Sequence, residues 1–125
     1  MEGNPELSII ILNYNTKELL RECLLSVKKY ENEIPLEVIV SDNASIDGSS
    51  DMVRREFPWV RLVEGENEGF AKGNNRAKNL VRGKMVLFLN PDTVVTKGVF
   101  FKTTRYLKEN KDVGAVSCKL VLPSG

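Results

Sequence analysis

Two aspartates follow apolar stretches at points where a strand would end. The segment VLFLNPDTVV, residues 86–95, passes from an apolar strand pattern into Asn90, Pro91 and Asp92. Asp42 follows the apolar segment of residues 36–40, LEVIV, in the same way. A carboxylate at such a point can bind Mg²⁺ or Mn²⁺ together with phosphate oxygens, or accept hydrogen bonds from a ribose hydroxyl or a base N–H. Either aspartate could instead belong to a simple turn, because Asn, Asp and Pro are common turn residues.

The residue types present narrow the chemistry further. The sequence has no histidine and two cysteines, Cys23 and Cys118. Nucleophile systems that depend on histidine and histidine-based zinc sites are therefore excluded. What remains is chemistry based on carboxylates, amides, hydroxyls, backbone groups and a hard metal ion. Both cysteines lie in apolar patterns, so we expect two reduced, buried thiols rather than a disulfide.

Length and charge indicate one globular domain whose overall charge would not attract nucleic acid. The chain of 125 residues is long enough for a single core, so we assign residues 1–125 to one domain. Its 18 Lys and Arg balance 17 Asp and Glu, and a net charge of +1 gives no reason to expect nucleic acid as a partner. No apolar run approaches the ~20 residues of a transmembrane helix. We therefore expect a cytoplasmic protein, and any contact with the inner face of the membrane would be peripheral and made by regions outside this chain.

Apolar runs and helical periodicities alternate along the chain, which indicates an α/β fold with a mainly parallel sheet and right-handed crossovers. Strands are predicted at 7–13, 36–40, 60–63, 85–89 and 113–121, with helices between them at 15–30, 51–57, from the Gly-rich stretch EGENEGFAKGNN to about 82, and from 96 onward.

Two helix starts are predicted in more detail. Asn15 and Glu18 have the spacing of a capping box. The first helix is then expected to bury Leu19, Leu20, Cys23, Leu24 and Val27. Thr96 is expected to cap the last helix, which would turn Val99, Phe100, Thr103, Tyr106 and Leu107 inward.

Open parallel sheets bind ligands beyond the carboxyl ends of their strands. Polar residues follow every one of the first four predicted strands: Asn13, Tyr14 and Asn15; Ser41, Asp42 and Asn43; Asn67, Gly69 and Phe70; Asn90 and Asp92. The first of these stretches, NYNTKE, lacks the glycines that a dinucleotide-binding turn needs, which argues against an NAD-type domain. Tyr14 could instead stack on a base or ribose, or simply pack against the helix start. The sheet edge as a whole is a candidate ligand site.

The Gly-rich stretch adds a candidate anion site. Asn67, Gly69, Phe70, Lys72 and Asn74 gather where a helix is predicted to begin. Helix N-termini favour anions, and a lysine could assist. The alternative is a solvated loop with an Asn-rich cap.

Four segments together resemble the family 2 glycosyltransferases, most closely their rhamnosyltransferase-like branch: SIIILNYNTKELLRECLLSV, EVIVSDNASIDGSSDMV, NEGFAKGNN and VLFLNPDTVV. The resemblance implies the GT-A fold, a Rossmann-like three-layer α/β sandwich with helices on both faces of the sheet. It also implies a nucleoside diphosphate sugar donor, such as a UDP- or dTDP-sugar. The sugar would pass with inversion, assisted by Mg²⁺ or Mn²⁺, to a saccharide or lipid-linked acceptor in cell-wall or polysaccharide biosynthesis.

The resemblance also implies roles for individual residues. Nucleotide-sugar contacts fall on Leu12, Asn13, Tyr14, Asn15, Asp42, Asn43, Asn67, Gly69, Phe70, Lys72, Asn74 and Asn90. Asp92 takes the last position of the metal-binding Asp-x-Asp motif, while Asn90 stands where the motif has its first acid, so metal dependence is an open question. Asp42 would contact the base or ribose.

The resemblance also implies a catalytic base, an acidic residue in the C-terminal half of the family's members, which has no counterpart in this sequence. We therefore expect residues 1–125 to be the donor-binding N-terminal part, ending before the acceptor-binding half. We expect it to transfer no sugar by itself. The alternative is a non-catalytic nucleotide- or partner-binding module of the same fold. An exposed sheet edge could also drive association into a homodimer.

Overall fold

The computed structural model describes residues 4–66 and 69–110, apart from the side chain of Phe70. Strands and helices alternate as β1 (Leu7–Asn13), α1 (Lys17–Lys29), β2 (Leu36–Asn43), α2 (Ser49–Glu56), β3 (Arg61–Gly65), α3 (Phe70–Lys78), β4 (Met85–Leu89) and α4 (Val99–Glu109). All strand pairs are parallel, in the order β3-β2-β1-β4. The predicted α/β fold is confirmed. The strand predicted at 113–121 and Cys118 lie outside the described residues.

The sheet is covered on both faces. On one face, Ile9 and Ile11 of β1 pack with buried residues of α1, α2 and α4, among them Leu24, Met52 and Phe100. On the other face, Ile10 and its neighbours pack against α3. The central strands β1 and β2 are therefore buried on both sides, as their continuous apolar sequence predicts. The three-layer arrangement with helices on both faces is also confirmed.

A buried carboxylate ties the beginnings of the strands together. Glu37, near the start of β2, is 7% exposed. It accepts hydrogen bonds from Ser8 Oγ at 2.5 Å, from the backbone N–H of Arg82 at 2.7 Å and from Arg82 Nε at 3.2 Å. Burial works against its charged form, yet these hydrogen bonds from Ser8 and Arg82 hold the pKa of Glu37 below its usual range. This network fixes the amino-terminal edge of the sheet, and no sequence pattern predicted it.

The capping box predicted at Asn15 is wrong. Asn15 has a φ of +52°, and α1 begins two residues later. The side-chain oxygen of Asn15 accepts a hydrogen bond from the backbone N–H of Ile46 at 2.8 Å, and its own N–H donates to Ser45 Oγ at 2.8 Å. Contacts with a distant loop therefore replace the local cap. Leu19 is 48% exposed, contrary to prediction, whereas the other four predicted α1 residues are buried.

The start of α4 also differs from the prediction. The helix begins at Val99, after Gly98, so Thr96 is not its N-cap residue. The Glu33 carboxylate, from the loop between α1 and β2, accepts hydrogen bonds from the backbone N–H groups of Gly98 at 2.6 Å and Phe101 at 3.1 Å. An acid at a helix N-terminus is a favourable arrangement, and here a distant residue supplies it. Within α4, Phe100 is buried, but Tyr106 is 47% exposed and does not face the core as predicted.

The remaining differences are in element ends. β2 continues to Asn43 instead of stopping at residue 40, because Ser41, Asp42 and Asn43 pair with β3 and the first two of them also pair with β1. α2 begins at Ser49, β3 spans Arg61–Gly65, and α3 ends at Lys78 rather than near residue 82. No helix in the described part of the chain has the length and apolar character needed to cross a membrane.

Candidate functional site

Asp42 is the centre of a hydrogen-bond network at the carboxyl edge of the sheet. It lies beside Asn13 of β1 and is 2% exposed. Its carboxylate accepts hydrogen bonds from Asn13 Nδ2 at 2.8 Å, from Ser45 Oγ at 2.7 Å and from the backbone N–H of Ser45 at 2.9 Å. All three donors are neutral. Because an ionised carboxylate offers about four acceptor positions, the group retains capacity for one more donor.

The same network shapes the loop after β1. The side-chain oxygen of Asn13 accepts a hydrogen bond from Thr16 Oγ1, and Asn15 is tied to residues 45 and 46 as described above. The polar groups on either side of Tyr14 are thus held by the protein itself, while Tyr14 is 50% exposed. Half of the Tyr14 surface is therefore open to solvent, and both interpretations of its role stay predictions.

Asp47 fixes the loop between β2 and α2. It accepts hydrogen bonds from the backbone N–H groups of Lys17 at 2.9 Å and Ser49 at 3.0 Å, at the starts of α1 and α2. Burial opposes its charge, but the bonds from Ser49 and Lys17 lower the pKa of Asp47. One acid thus caps two helices and holds the loop that follows Asp42.

The first turn of α3 lies directly over the ends of β1 and β2. Gly69 precedes the helix with a φ of +99°, a conformation that glycine adopts without strain. Gly73 is buried. A Cβ atom there would lie 2.3 Å from Leu12 Cδ1 and 3.0 Å from Asn43 Oδ1. Only a glycine allows this approach, which brings the helix N-terminus to the strand ends as predicted.

The other residues predicted around this helix start are placed as follows. Lys72 is exposed and Asn74 is partly buried, both in the first half of α3. The backbone of Phe70 opens the helix, and Asn67 lies outside the described residues.

Arg76, which the sequence did not single out, joins α3 to the end of β2. Its guanidinium Nη1 donates to Ser41 Oγ at 3.0 Å and Asn43 Oδ1 at 3.2 Å, and Nη2 donates to the Glu66 carbonyl at 3.1 Å. Ser41 Oγ in turn donates to the Gly73 carbonyl at 2.9 Å. Two residues predicted in the site, Asp42 and Asn43, therefore stand beside an arginine from another element.

The segment after β4 is a turn. The Asn90 carbonyl accepts hydrogen bonds from the Thr93 N–H at 3.1 Å and from Thr93 Oγ1 at 2.6 Å. Asp92 is exposed on this turn, which follows the strand paired with β1. The turn interpretation is thus correct for the backbone, and it leaves the carboxylate accessible to a ligand.

Cys23 of α1 lies beneath this turn, with its Sγ atom 3.8 Å from the Asn90 carbonyl oxygen. Burial raises the pKa of the Cys23 thiol to about 12, and the nearby Asp92 charge adds to the rise. Cys23 is a buried free thiol, as predicted.

A cation at Asp92 would need ligands from a bound molecule. Across residues 4–66 and 69–110, no three acidic or cysteine side chains gather at one point. Asp92 offers one carboxylate, and Mg²⁺ commonly binds to one or two carboxylates together with phosphate oxygens. The donor set therefore fits a metal ion that arrives with a phosphate group.

Comparison with known proteins shows to which family this chain belongs. Residues 8–121 match the model of the family described as Glycosyl transferase family 2. The chain belongs to glycosyltransferase family 2. Over 98 residues it is 38% identical to the uncharacterized glycosyltransferase YfnE of Bacillus subtilis, covering 76% of this chain and 25% of YfnE. Over 113 residues it is 27% identical to the abequosyltransferase RfbV of Salmonella typhimurium, covering 86% of this chain and 34% of RfbV. This family 2 domain thus spans about a quarter to a third of these relatives.

Solved structures show the same fold. The mannosyltransferase PcManGT from Pyrobaculum calidifontis, in complex with GDP-Man and Mn²⁺, superposes with a TM-score of 0.72 at 27% identity, over 85% of this chain and 33% of that protein. TarS 1-349 from S. aureus, in complex with UDP-GlcNAc, also has a TM-score of 0.72, at 25% identity over 85% of this chain and 32% of TarS. The predicted GT-A fold is confirmed. The rhamnosyltransferase-like branch stays a prediction.

Proposed function

We propose that this family 2 domain binds the nucleotide part of a nucleoside diphosphate sugar at the carboxyl edge of its sheet. The whole enzyme would transfer the sugar with inversion to a hydroxyl group of a saccharide or lipid-linked acceptor. The observation that carries the proposal is the Asp42 carboxylate, held at the end of β2 by the neutral donors of Asn13 and Ser45. The two similar structures named above were solved with GDP-Man and with UDP-GlcNAc, which supports a ligand of this class.

Asp42 is suited to hydrogen-bond donors of a nucleoside. Its remaining acceptor capacity can take a base N–H or a ribose hydroxyl, because both are neutral donors. Tyr14 exposes half of its surface next to Asn13, and an aromatic ring can stack on a base. Leu12 and Asn43 lie at the same edge of the sheet, where they pack against Gly73. These residues would select a nucleoside, and the choice between uracil, thymine and guanine is left to experiment.

The first turn of α3 is suited to the diphosphate and the sugar. A helix N-terminus presents unpaired N–H groups and a partial positive charge, both of which favour phosphate. Gly69 adds no side chain at this point, and among the described residues no atom lies within 4 Å of the place where its Cβ atom would stand. Lys72 and Asn74 lie within the first turns of the helix and would contact the same part of the donor.

Asp92 would hold Mg²⁺ or Mn²⁺ together with oxygens of the donor diphosphate. When bound, the ion supplies positive charge that stabilises the diphosphate as it leaves the sugar. Asn90 stands where the family motif has its first acid, and its side-chain oxygen could orient the ion without adding charge. We therefore expect weak binding of metal alone and stronger binding with nucleotide.

No catalytic base is proposed among the described residues. Inverting transfer needs a group that removes the proton of the acceptor hydroxyl as it attacks the anomeric carbon. At this edge Asp42 is engaged by Asn13 and Ser45, and Asp92 is assigned to the metal. The chain would therefore supply donor binding, and the base would lie elsewhere in the enzyme.

Thermal unfolding of the chain with UDP, dTDP, GDP and NAD, each with and without Mn²⁺, tests the proposal. A ligand at ~100 times its dissociation constant adds roughly 2.7 kcal/mol to the free energy of unfolding, which raises Tm by several degrees in a domain of this size. We expect a Mn²⁺-enhanced rise with one of the nucleoside diphosphates and none with NAD. No rise with any nucleoside diphosphate would contradict donor binding and would favour a non-catalytic partner-binding module.

A further inference from the structure

We propose that Arg76 is a positioning residue for the nucleotide site. It holds the end of β2 and Glu66, the residue after β3, in the arrangement that receives the donor, without touching the donor itself. This inference rests on the proposed function of the carboxyl edge. It assigns a role to a side chain that the sequence analysis of the two aspartates and the Gly-rich stretch does not indicate.

The contacts of the guanidinium group carry the inference. It donates to four neutral oxygen atoms: Ser41 Oγ at 3.0 Å, Asn43 Oδ1 at 3.2 Å, the Asp42 carbonyl at 3.5 Å and the Glu66 carbonyl at 3.1 Å. We name Arg76 and these four acceptors the Arg76 clasp. The clasp spans three consecutive residues of β2 and the residue that follows β3. A lysine cannot replace it, because an ammonium group lacks the fixed planar fork of N–H donors.

Gly65 makes room for the clasp. A Cβ atom at Gly65 would lie 2.2 Å from Cζ of Arg76, inside the space of the guanidinium group. Gly65 is not among the glycines with a positive φ, so its backbone conformation does not require glycine. The reason for a glycine at the end of β3 is therefore space, and the group that occupies the space is Arg76.

The clasp also fixes the orientation of Asn43. A guanidinium group donates and never accepts, so the atom of the Asn43 amide that faces it must be the oxygen. The amide nitrogen is therefore directed away from Arg76. Because Asn43 is buried beside Gly73 and directly follows Asp42, this orientation fixes the end of β2 that carries Asp42.

Two other roles for Arg76 make different predictions. If Arg76 bound the donor phosphates directly, its replacement would weaken the binding of nucleoside diphosphate but not of nucleoside. If Arg76 only stabilised the fold, any comparable loss of an arginine contact would have the same effect on binding. Arg61 is a matched control, since its Nη1 donates to the Leu80 carbonyl at 2.9 Å and it lies beside Glu37 at the opposite edge of the sheet.

The test is an NMR titration of the ¹⁵N-labelled chain, wild type, Arg76→Lys and Arg61→Lys, with uridine and UDP, or the pair whose base gives the largest thermal shift. We expect Arg76→Lys to weaken nucleoside and nucleoside diphosphate alike by about tenfold, the effect of losing roughly one hydrogen bond to a charged group. We expect Arg61→Lys to change both affinities by less than about twofold, within the scatter of surface substitutions.

The proposal is overturned if Arg76→Lys binds both ligands as wild type does, or if it loses affinity for the diphosphate alone. Should Arg76→Lys fail to fold, Gly65→Ala carries the same prediction, because its Cβ displaces the guanidinium group without removing it.

Should the wild type bind no nucleotide, the proposed function fails. Amide hydrogen exchange in the free protein then tests whether the Arg76 clasp holds the end of β2. We expect amide exchange at residues 41–43 and at Gly73 to be about tenfold faster in Arg76→Lys than in Arg61→Lys, because the same single hydrogen bond is lost. Unchanged exchange at these residues would overturn the proposed role of the clasp.

Discussion

Strand β2 carries a buried carboxylate near each of its ends, and the two are held in opposite ways. Glu37 at the amino end is bonded to Arg82, has Arg61 at 3.7 Å, and receives a further bond from Ser8. Asp42 at the carboxyl end is bonded to Asn13 and Ser45, which carry no charge. Both acids are removed from water by the same parallel sheet. Only one of them has its charge balanced by a contact within the described residues.

This difference in partners assigns stability to the Glu37 carboxylate and binding to the Asp42 carboxylate. A buried carboxylate with cationic partners is costly to disturb, because removing one partner leaves the other groups uncompensated. A buried carboxylate whose partners are all neutral is not committed to a cation of the protein, so a ligand can supply its next hydrogen-bond donor. The amino edge thus stabilises the sheet, and the carboxyl edge is suited to bind. Substitutions at the two ends should separate these roles.

Glu37→Ala has the largest expected effect on stability. Ser8 Oγ, the Arg82 guanidinium and the Arg82 N–H would all lose the carboxylate that accepts their hydrogen bonds, and Ser8 would lose it in a buried place. We expect the free energy of unfolding to fall by about 3 kcal/mol, at the low end of values for broken buried ion pairs because the arginines are half-exposed. Urea unfolding measures it, with the exposed Glu22→Ala as control. A loss no larger than that of the control would contradict the assigned role of the amino edge.

Asp42→Asn should destabilise less and should affect binding more. An amide has one oxygen, so the donors on the two carboxylate oxygens cannot all be satisfied, and one faces an N–H₂ group. We expect the free energy of unfolding to fall by about 2 kcal/mol and the Tm rise with nucleotide to disappear. Asp51→Asn, on the exposed side of α2, is the matched control. Retained nucleotide binding in Asp42→Asn would separate Asp42 from the site.

Acid should weaken the amino edge specifically. The pKa of Glu37 is lowered in the folded protein, so its contribution to stability is fully present above its ordinary value of 4.5. That contribution is lost as the pH falls from there through the folded pKa. We therefore expect the Tm difference between wild type and Glu37→Gln to be constant above this range and to shrink below it. A difference that grows on acidification would contradict the sign of the pKa shift.

Asp92→Asn should have the smallest effect on stability. Asp92 is exposed, and substitutions of this kind usually change the free energy of unfolding by less than about 0.5 kcal/mol. We expect the Tm without ligand to stay the same and the Mn²⁺-dependent part of the nucleotide shift to vanish. Thermal unfolding with nucleotide, with and without Mn²⁺, checks it. An undiminished Mn²⁺ effect in Asp92→Asn would remove Asp92 from the metal site.

The sequence predicted those features that are local. Apolar runs defined all four described strands, and polar residues directly after them pointed to Asp42, Asn43 and Asp92. The end of β2 was placed too early, because a pattern along one strand does not contain its register with two neighbours. The N-cap prediction at Asn15 was wrong for a related reason. Ser45 and Ile46, about 30 residues away, form hydrogen bonds with the backbone N–H and the side-chain oxygen of Asn15, the groups that a capping box would use.

Long-range polar partners account for what the sequence did not predict. Glu37 finds Arg82 across 45 positions of sequence, and Arg76 finds Asn43 across 33. Neither arginine stands out in its own helix or loop. The signal that could have revealed Arg76 is Gly65, a glycine at the end of a strand where no turn requires one. Such a glycine indicates that another group occupies the space of its side chain.

The most direct test of the account is one comparison of nucleotide-induced Tm shifts in Asp42→Asn and Glu37→Gln, using the nucleoside diphosphate that stabilises the wild type most, with Mn²⁺. The account predicts that Glu37→Gln has a lower Tm than wild type and keeps the full nucleotide-induced rise. It predicts that Asp42→Asn loses the rise. A rise that survives in Asp42→Asn, or that disappears in Glu37→Gln, would contradict the assignment of binding to the carboxyl edge and of stability to the amino edge.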